Sequence, residues 1–196
     1  MNEKKILLIT PDFPPMNGGV ARYLSLLATY LKDDVEVLCE PHAAWQSFDA
    51  GAGYSIYRSP LLFKWFFPRW YKTVRILKSY EDRYRLILTS HVLPFGTAAM
   101  VAMKKTETPY IVFVHGMDLR LAQQSPRKRA LATKVLKNAR LVVANSEALA
   151  QEVATVFGVT ELLVVYPCLP TLPPPVKPAP DGRFHLLTVS RLVKRK

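Results

Sequence analysis

Four short segments of this chain hold residue types that can bind phosphate or exchange protons. The first is Pro11-Asp12-Phe13-Pro14-Pro15-Met16-Asn17-Gly18-Gly19-Val20. Gly18 and Gly19 lack a Cβ, so an anion can approach their backbone N–H groups at a helix N-terminus. The plain alternative is a strand-to-helix turn that needs glycine. The second segment is His115-Gly116-Met117-Asp118. His115 can donate to a substrate hydroxyl, and Asp118 can accept a hydrogen bond or orient His115. The alternative is a structural histidine at a strand end. The third, Thr89-Ser90-His91, has no motif around it and reads as structural. The fourth is Asn145-Ser146-Glu147, where Ser146 suits a helix N-cap and a ligand contact is secondary.

Other chemistries find no support. A dinucleotide fingerprint needs G-x-G-x-x-G, and that spacing is absent. No metal-ligand cluster is visible, because Cys39 and Cys168 lie far apart without nearby histidines. Neither a G-x-S-x-G elbow nor a Ser-His-Asp arrangement can be read.

The positions of these segments depend on the elements around them. Lys5–Thr10 is a continuous apolar run. After the first loop, Val20, Tyr23, Leu24, Leu27, Ala28 and Leu31 recur at helical spacing. Strands are predicted at 35–39, 54–58, 86–89, 110–115, 141–144 and 162–166. Helices are predicted at 69–80, 94–105, 127–137 and 147–157. Apolar strands alternating with helices indicate a doubly wound α/β domain with a parallel sheet. In such a sheet ligands bind at the carboxyl ends of strands. The first loop, His91 and His115 all fall at that edge.

The doubly wound α/β domain is expected to span residues 1–166. Residues 167–180 hold seven of the sixteen prolines, so 167–183 read as a stiff connector. The strand-like stretch that follows cannot bury itself alone. Residues 184–196 are therefore expected to begin a second, truncated domain.

The chain has 196 residues, 49% of them hydrophobic, and a net charge of +12. That composition excludes a disordered chain, and two cysteines exclude a disulfide scaffold. Free buried thiols in a reducing cytosol are the expectation for Cys39 and Cys168. No signal peptide or membrane span is read. The positive charge calls for an anionic partner.

Residues 58–85 carry eight basic residues against two acidic ones, half of the chain's net excess. Aromatic residues interleave them. On a helix, Arg69, Lys72, Arg75 and Lys78 cover one half, while Trp70, Val74, Leu77 and Tyr80 occupy the other. Together with Lys64, Trp65, Phe66 and Phe67, this suits contact with an anionic bilayer. The alternative is an ordinary amphipathic helix on the sheet. Nucleic acid is not expected, since no recognition signature accompanies the aromatics.

The ordered set resembles the family 4 retaining glycosyltransferases of two-Rossmann-domain (GT-B) architecture. It comprises Pro14-Pro15-x-x-Gly18-Gly19, His115-Gly116, Asn145-Ser146, Val165-Tyr166-Pro167, the linker, and Ser190-Arg191-Leu192-Val193-Lys194-Arg195-Lys196. The nearest look-alikes are bacterial phosphatidylinositol mannosyltransferase-like members. The resemblance covers the whole chain.

It implies donor-diphosphate contacts at Gly18, Gly19, Arg191 and Lys196, and a catalytic role for His115 with Asp118. An acceptor side is implied at Asn17, Arg120 and Ser146. No metal or other cofactor is expected, since cationic side chains and backbone donors serve the diphosphate. The expected partners are a nucleoside-diphosphate sugar, a sugar or lipid-linked acceptor, and an anionic membrane surface. The expected location is cytoplasmic, peripheral on the inner face of the cell membrane, in cell-envelope or polysaccharide synthesis. The family's Asn-Gly after the interdomain proline is replaced by Cys168-Leu169. The second domain's nucleotide pocket and paired glutamates lie beyond Lys196, so the 196-residue chain alone is expected to be inactive. The competing reading is a non-catalytic basic module for anionic membrane or nucleic acid. A nucleotide-sugar-modifying Rossmann enzyme is disfavoured by the missing glycine fingerprint.

Overall fold

The computed structural model describes residues 4–80, 82–104, 106, 108–168 and 186. Its centre is a seven-stranded, all-parallel sheet in the order β3-β2-β1-β4-β5-β6-β7. The strands are β1 Lys5–Thr10, β2 Val35–Cys39, β3 Ser55–Arg58, β4 Tyr84–Ser90, β5 Tyr110–Val114, β6 Leu141–Ala144 and β7 Leu162–Val164. The helices are α1 Gly19–Tyr30, α2 Trp45–Ala50, α3 Tyr71–Ser79, α4 Thr97–Met103, α5 Met117–Gln123, α6 Pro126–Asn138 and α7 Glu147–Phe157. A π-helical turn, Val92–Gly96, leads into α4.

Alternation along each strand sends side chains to two cores. One holds Ile6, Leu8, Val35 and Val37 against Leu24 and Ala28 of α1. The other holds Leu7, Ile9, Val112 and Val142 against α3, α4, α5, α6 and α7 through Val74, Ala98, Leu119, Val135 and Val153. Both strand faces are covered over much of the sheet, which explains the unbroken apolar runs.

Helix ends follow local chemistry. The Ser125 hydroxyl accepts the Lys128 N–H at 3.3 Å, and Pro126 opens α6. Ser146 caps α7 in the same way through the Leu149 N–H at 3.3 Å. Gly96 is fixed by packing: an added Cβ would lie 2.7 Å from Val135 Cγ1.

The doubly wound parallel sheet agrees with the reading from sequence. The predicted 94–105 helix divides into the turn at Val92–Gly96 and α4. Within that turn Leu93 lies outside helical geometry, at φ −123 and ψ 134. Neither α2 nor α5 was predicted. Each is a single short stretch, and α2 has no buried residue. Cys39 is buried and free, whereas Cys168 is free but exposed, against the expectation of two buried thiols. Residues 169–185, the predicted strand at 184–190, and both Arg191 and Lys196 lie outside the described residues apart from position 186.

A polar cluster marks the amino end of the sheet. Glu36 accepts the Tyr84 hydroxyl at 2.6 Å and an Arg83 N–H at 3.0 Å. Burial and the Glu36 carboxylate both push the Tyr84 phenol up. This cluster ties β2 to β4 on the side of the sheet away from the strands' carboxyl ends.

Candidate functional site

Strand order reverses direction between β1 and β4. In doubly wound sheets the loops at the carboxyl ends diverge at such a reversal, which makes it the usual ligand position. β1 delivers Thr10 and Asp12, β4 delivers Ser90 and His91, and the neighbouring β5 delivers His115.

Polar contacts join these loops. Thr10 Oγ1 donates to the Asp12 carbonyl at 3.1 Å and accepts the Asp12 N–H at 3.1 Å. The Ser90 hydroxyl lies 2.8 Å from Thr10 Oγ1 and 2.9 Å from His91 Nδ1. On the other side of the ring, His91 Nε2 lies 3.3 Å from Asp12 Oδ2. The His91 and His115 rings are 5.6 Å apart between centroids.

His115 is packed edge-on against Tyr23 of α1 at 5.9 Å. Its Nε2 is buried and has no hydrogen-bond partner. Burial lowers the His115 pKa to about 4, with His91 adding to the depression and Asp118 opposing it. The imidazole is therefore neutral at physiological pH. It offers a polar atom that the protein leaves unsatisfied, which is uncommon for a buried group. Gly116 follows at φ 86, a backbone that favours glycine.

Asp118 is buried, and both of its carboxylate oxygens accept backbone N–H groups. Oδ1 takes that of His115 at 3.0 Å and Oδ2 that of Val92 at 3.2 Å. It holds the turn that carries His115, and its side chain acts through that turn.

The first loop runs from Phe13, buried in the α1 core, to Gly19. Arg58, at the end of β3, fixes its middle. One guanidinium nitrogen donates to the Pro14 carbonyl at 2.5 Å, and the group makes two bonds to Asp49 at 2.7 and 3.1 Å. Beyond Pro14 the loop lines an open cleft of about 910 Å³ together with Arg22 and Ser25. Gly18 caps α1 in extended backbone with no side-chain hydrogen bond. A Cβ at Gly18 or Gly19 would meet nothing within 4 Å. Neither glycine adopts a positive φ. The turn itself therefore does not require them.

Of the remaining expected site residues, Asn17 lines the cleft beside the glycines. Arg120 is exposed in the last turn of α5, and Ser146 is engaged in capping α7. Trp65, Phe66 and Phe67 project from the surface at 98, 53 and 88% exposure, with Lys64, Arg69 and Arg75 also exposed. Lys72 is half-buried. Trp70 turns inward and packs against the core. Among the described residues, no helix is long and apolar enough to cross a membrane. No group of three His, Cys, Asp or Glu there comes together as a metal site.

Sequence reasoning passed over the Asp12–His91 contact and Arg58. His91 was visible at a strand end, but nothing in its neighbours named Asp12, 79 positions away, as its partner. Arg58 stood among the basic residues of 58–85 and was indistinguishable from solvated ones.

A family model described as Glycosyltransferase Family 4 matches residues 17–171. No curated protein matches the chain. Similar solved structures include HepE of Anabaena in complex with UDP and glucose, at 18% identity and TM-score 0.63. That match covers 85% of this chain and 45% of HepE. Sucrose-phosphate synthase of Thermosynechococcus elongatus matches at 16% identity and TM-score 0.58, covering 85% and 90%. MurG of Acinetobacter baumannii matches at 14% and TM-score 0.51, covering 90% and 47%. These likenesses are of fold, and the chain spans less than half the length of HepE and MurG.

Proposed function

Because the chain belongs to glycosyltransferase family 4, we propose that it supplies the N-terminal, acceptor-binding half of a retaining hexosyltransferase. The complete enzyme transfers a sugar from a nucleoside-diphosphate sugar to an acceptor, either lipid-linked or a polysaccharide precursor. Residues 1–166 form its first domain, 167–183 its connector, and 184–196 the start of its donor-binding domain.

The observation that carries this reading is the pair Gly18-Gly19. The backbone does not need glycine at either position, and both are open to approach. The first N–H groups of α1 lack a capping side chain, which suits an anion such as a diphosphate. Arg22, one turn on, adds positive charge to the same cleft. Pro167 and Cys168 lie beside Gly19, so the connector leaves the domain next to this loop. Similar solved structures were obtained with UDP and UDP-glucose, which favours a nucleotide-sugar donor.

In this reading the phosphates lie against Gly18 and Gly19, with Arg191 and Lys196 closing from the second domain. His115, neutral and with Nε2 unsatisfied, donates to a hydroxyl of the transferred sugar. As the bond between anomeric carbon and phosphate oxygen breaks, backbone N–H groups and cationic side chains stabilise the diphosphate leaving group. No metal is assigned to this work. The enzyme works at the inner membrane face, held by residues 64–75.

The test is sugar transfer by the complete enzyme, with His115→Ala and Gly19→Val as variants. Both should lose turnover while remaining folded by circular dichroism. Full activity in both would overturn the assignment. Sugar transfer by the 196-residue chain alone would overturn the reading that it is half of an enzyme.

A further inference from the structure

We propose that Asp12 and His91 form a carboxylate–imidazole pair that receives the acceptor's attacking hydroxyl; this rests on the glycosyltransferase reading above. Asp12 is the group that touches the acceptor, and His91 positions it.

Placement is the first support. The pair spans the reversal of strand order, with Asp12 two residues past β1 and His91 one residue past β4. His91 holds φ 69, a backbone that few L side chains adopt. Two main-chain bonds maintain it: its N–H donates to the Phe113 carbonyl, and its carbonyl accepts the Gly96 N–H, each at 3.1 Å. Strained backbone of this kind collects at functional sites.

The second support is a closed ring of contacts. It runs from His91 Nδ1 through Ser90 and Thr10 to the Asp12 main chain, and returns from Asp12 Oδ2 to His91 Nε2. Thr10 and Ser90 are fully buried, so the ring is anchored in the sheet.

The hydroxyl donors run in one direction around the ring. Thr10 donates to the Asp12 carbonyl and Ser90 donates to Thr10, so Ser90 is left to accept from His91 Nδ1. Nε2 and Asp12 Oδ2, 3.3 Å apart, then hold one proton between them. The imidazole thereby orients the carboxylate, as in other carboxylate–imidazole pairs.

The third support is selectivity by charge. The Asp12 side chain keeps 30% exposure and His91 22%, so both are reachable. A carboxylate repels phosphate and accepts from a hydroxyl. The crevice is thus divided: Asp12 and His91 face a neutral polyol or sugar, while Gly18, Gly19 and Arg22 face the anion.

The chain has four histidines, so its imidazole nitrogen signals can be resolved by nuclear magnetic resonance. The probes are methyl glucoside, as a neutral saccharide, and inorganic pyrophosphate. Methyl glucoside should shift the His91 and His115 ring signals and leave His42 and His185 unmoved. Asp12→Asn should weaken that response roughly tenfold, the scale of one charge-assisted hydrogen bond. His91→Leu should weaken it similarly, whereas His91→Gln, which keeps an N–H donor, should recover most of it. Native dispersion of the remaining amide signals checks each variant's fold. A saccharide that leaves His91 unmoved, or binds wild type and Asp12→Asn equally, overturns the proposal. So does a loss in His91→Leu that His91→Gln does not relieve. Pyrophosphate reads the other half of the site: if it fails to shift the Gly18 and Gly19 amides, the donor reading fails whatever the saccharide does.

Discussion

The His115 N–H donates to Asp118 Oδ1 at 3.0 Å, so a buried carboxylate three residues downstream sets where β5 releases its histidine. The second oxygen holds Val92, at the turn after β4, at 3.2 Å. One side chain thus ties together two loops of the crevice. Asp118→Ala leaves two buried N–H groups without acceptors, each costing about 1–3 kcal/mol. The expected loss is about 2–5 kcal/mol in urea denaturation. Asp118→Asn keeps one acceptor oxygen and should cost less. A variant as stable as wild type would remove Asp118 from this role.

The buried imidazole makes stability depend on pH with a definite sign. Unfolded His115 titrates near its ordinary value of 6.5, and folded His115 near about 4. Above 6.5 both states are neutral, and the group adds nothing to the slope. As pH falls from 6.5 toward 4, the unfolded state takes up a proton that the folded state refuses, so stability is lost. The loss is on the order of 3 kcal/mol by pH 4. His115→Gln should show a flatter fall over that window in thermal melts. Parallel curves for the two proteins would contradict the buried neutral form.

Long apolar runs and helical periodicity located most strands and longer helices, because burial on both faces leaves a strong local signal. Val35–Cys39 and Glu147–Phe157 were read to their boundaries. The short helices α2 and α5 left none, since six or seven residues scarcely complete two turns of a pattern. The site divided similarly. Gly18, Gly19 and His115 stood out by residue type and position after a strand. Asp118 was noticed, but its two backbone bonds depend on how the loops pack. The Asp12–His91 contact exists only because β1 and β4 are neighbours, a fact of sheet order rather than of local sequence.

Three glycine substitutions separate binding from folding. Gly19→Ala meets nothing within 4 Å and sits in helical backbone, so stability should hold or rise by up to about 1 kcal/mol. Gly18→Ala is likewise unobstructed. Gly96→Ala places a Cβ 2.7 Å from Val135 Cγ1 and should cost about 1–3 kcal/mol. Paired with pyrophosphate binding, the first two should lose affinity at full stability. The third should lose stability first.

Arg58 and Asp49 form an ion pair whose side chains are only 3 and 13% exposed. Removing one member strands the other, and Arg58→Ala is expected to cost about 3–5 kcal/mol. Arg58→Lys should recover little, since an ammonium cannot reproduce the two-point contact with Asp49. The same guanidinium holds Pro14, so amide hydrogen exchange at Met16, Asn17 and Gly18 should quicken in both variants. Unchanged exchange there would show that the first loop is held by other contacts.

Trp65, Phe66 and Phe67 stand out from a loop that its own bonds keep in shape. The Phe63 N–H donates to the Arg69 carbonyl at 2.9 Å, and Arg69 Nε donates to the Phe63 carbonyl at 2.7 Å. The loop is therefore a fixed apolar projection, flanked in sequence by the exposed Lys64, Arg69 and Arg75. An anionic bilayer satisfies both features, apolar tips in the interface and cations near the headgroups. Each basic residue near such a surface contributes about 1 kcal/mol. Replacing Lys64, Arg69 and Arg75 with Gln should thus weaken co-sedimentation with phosphatidylserine vesicles by roughly two orders of magnitude. Trp65→Ser with Phe67→Ser should weaken binding even to neutral vesicles, because it removes buried apolar area rather than charge. Trp70→Ser acts differently: the ring packs on the core, so its cost should appear in stability. Binding that survives both the charge and the aromatic substitutions would leave the projection without a membrane role.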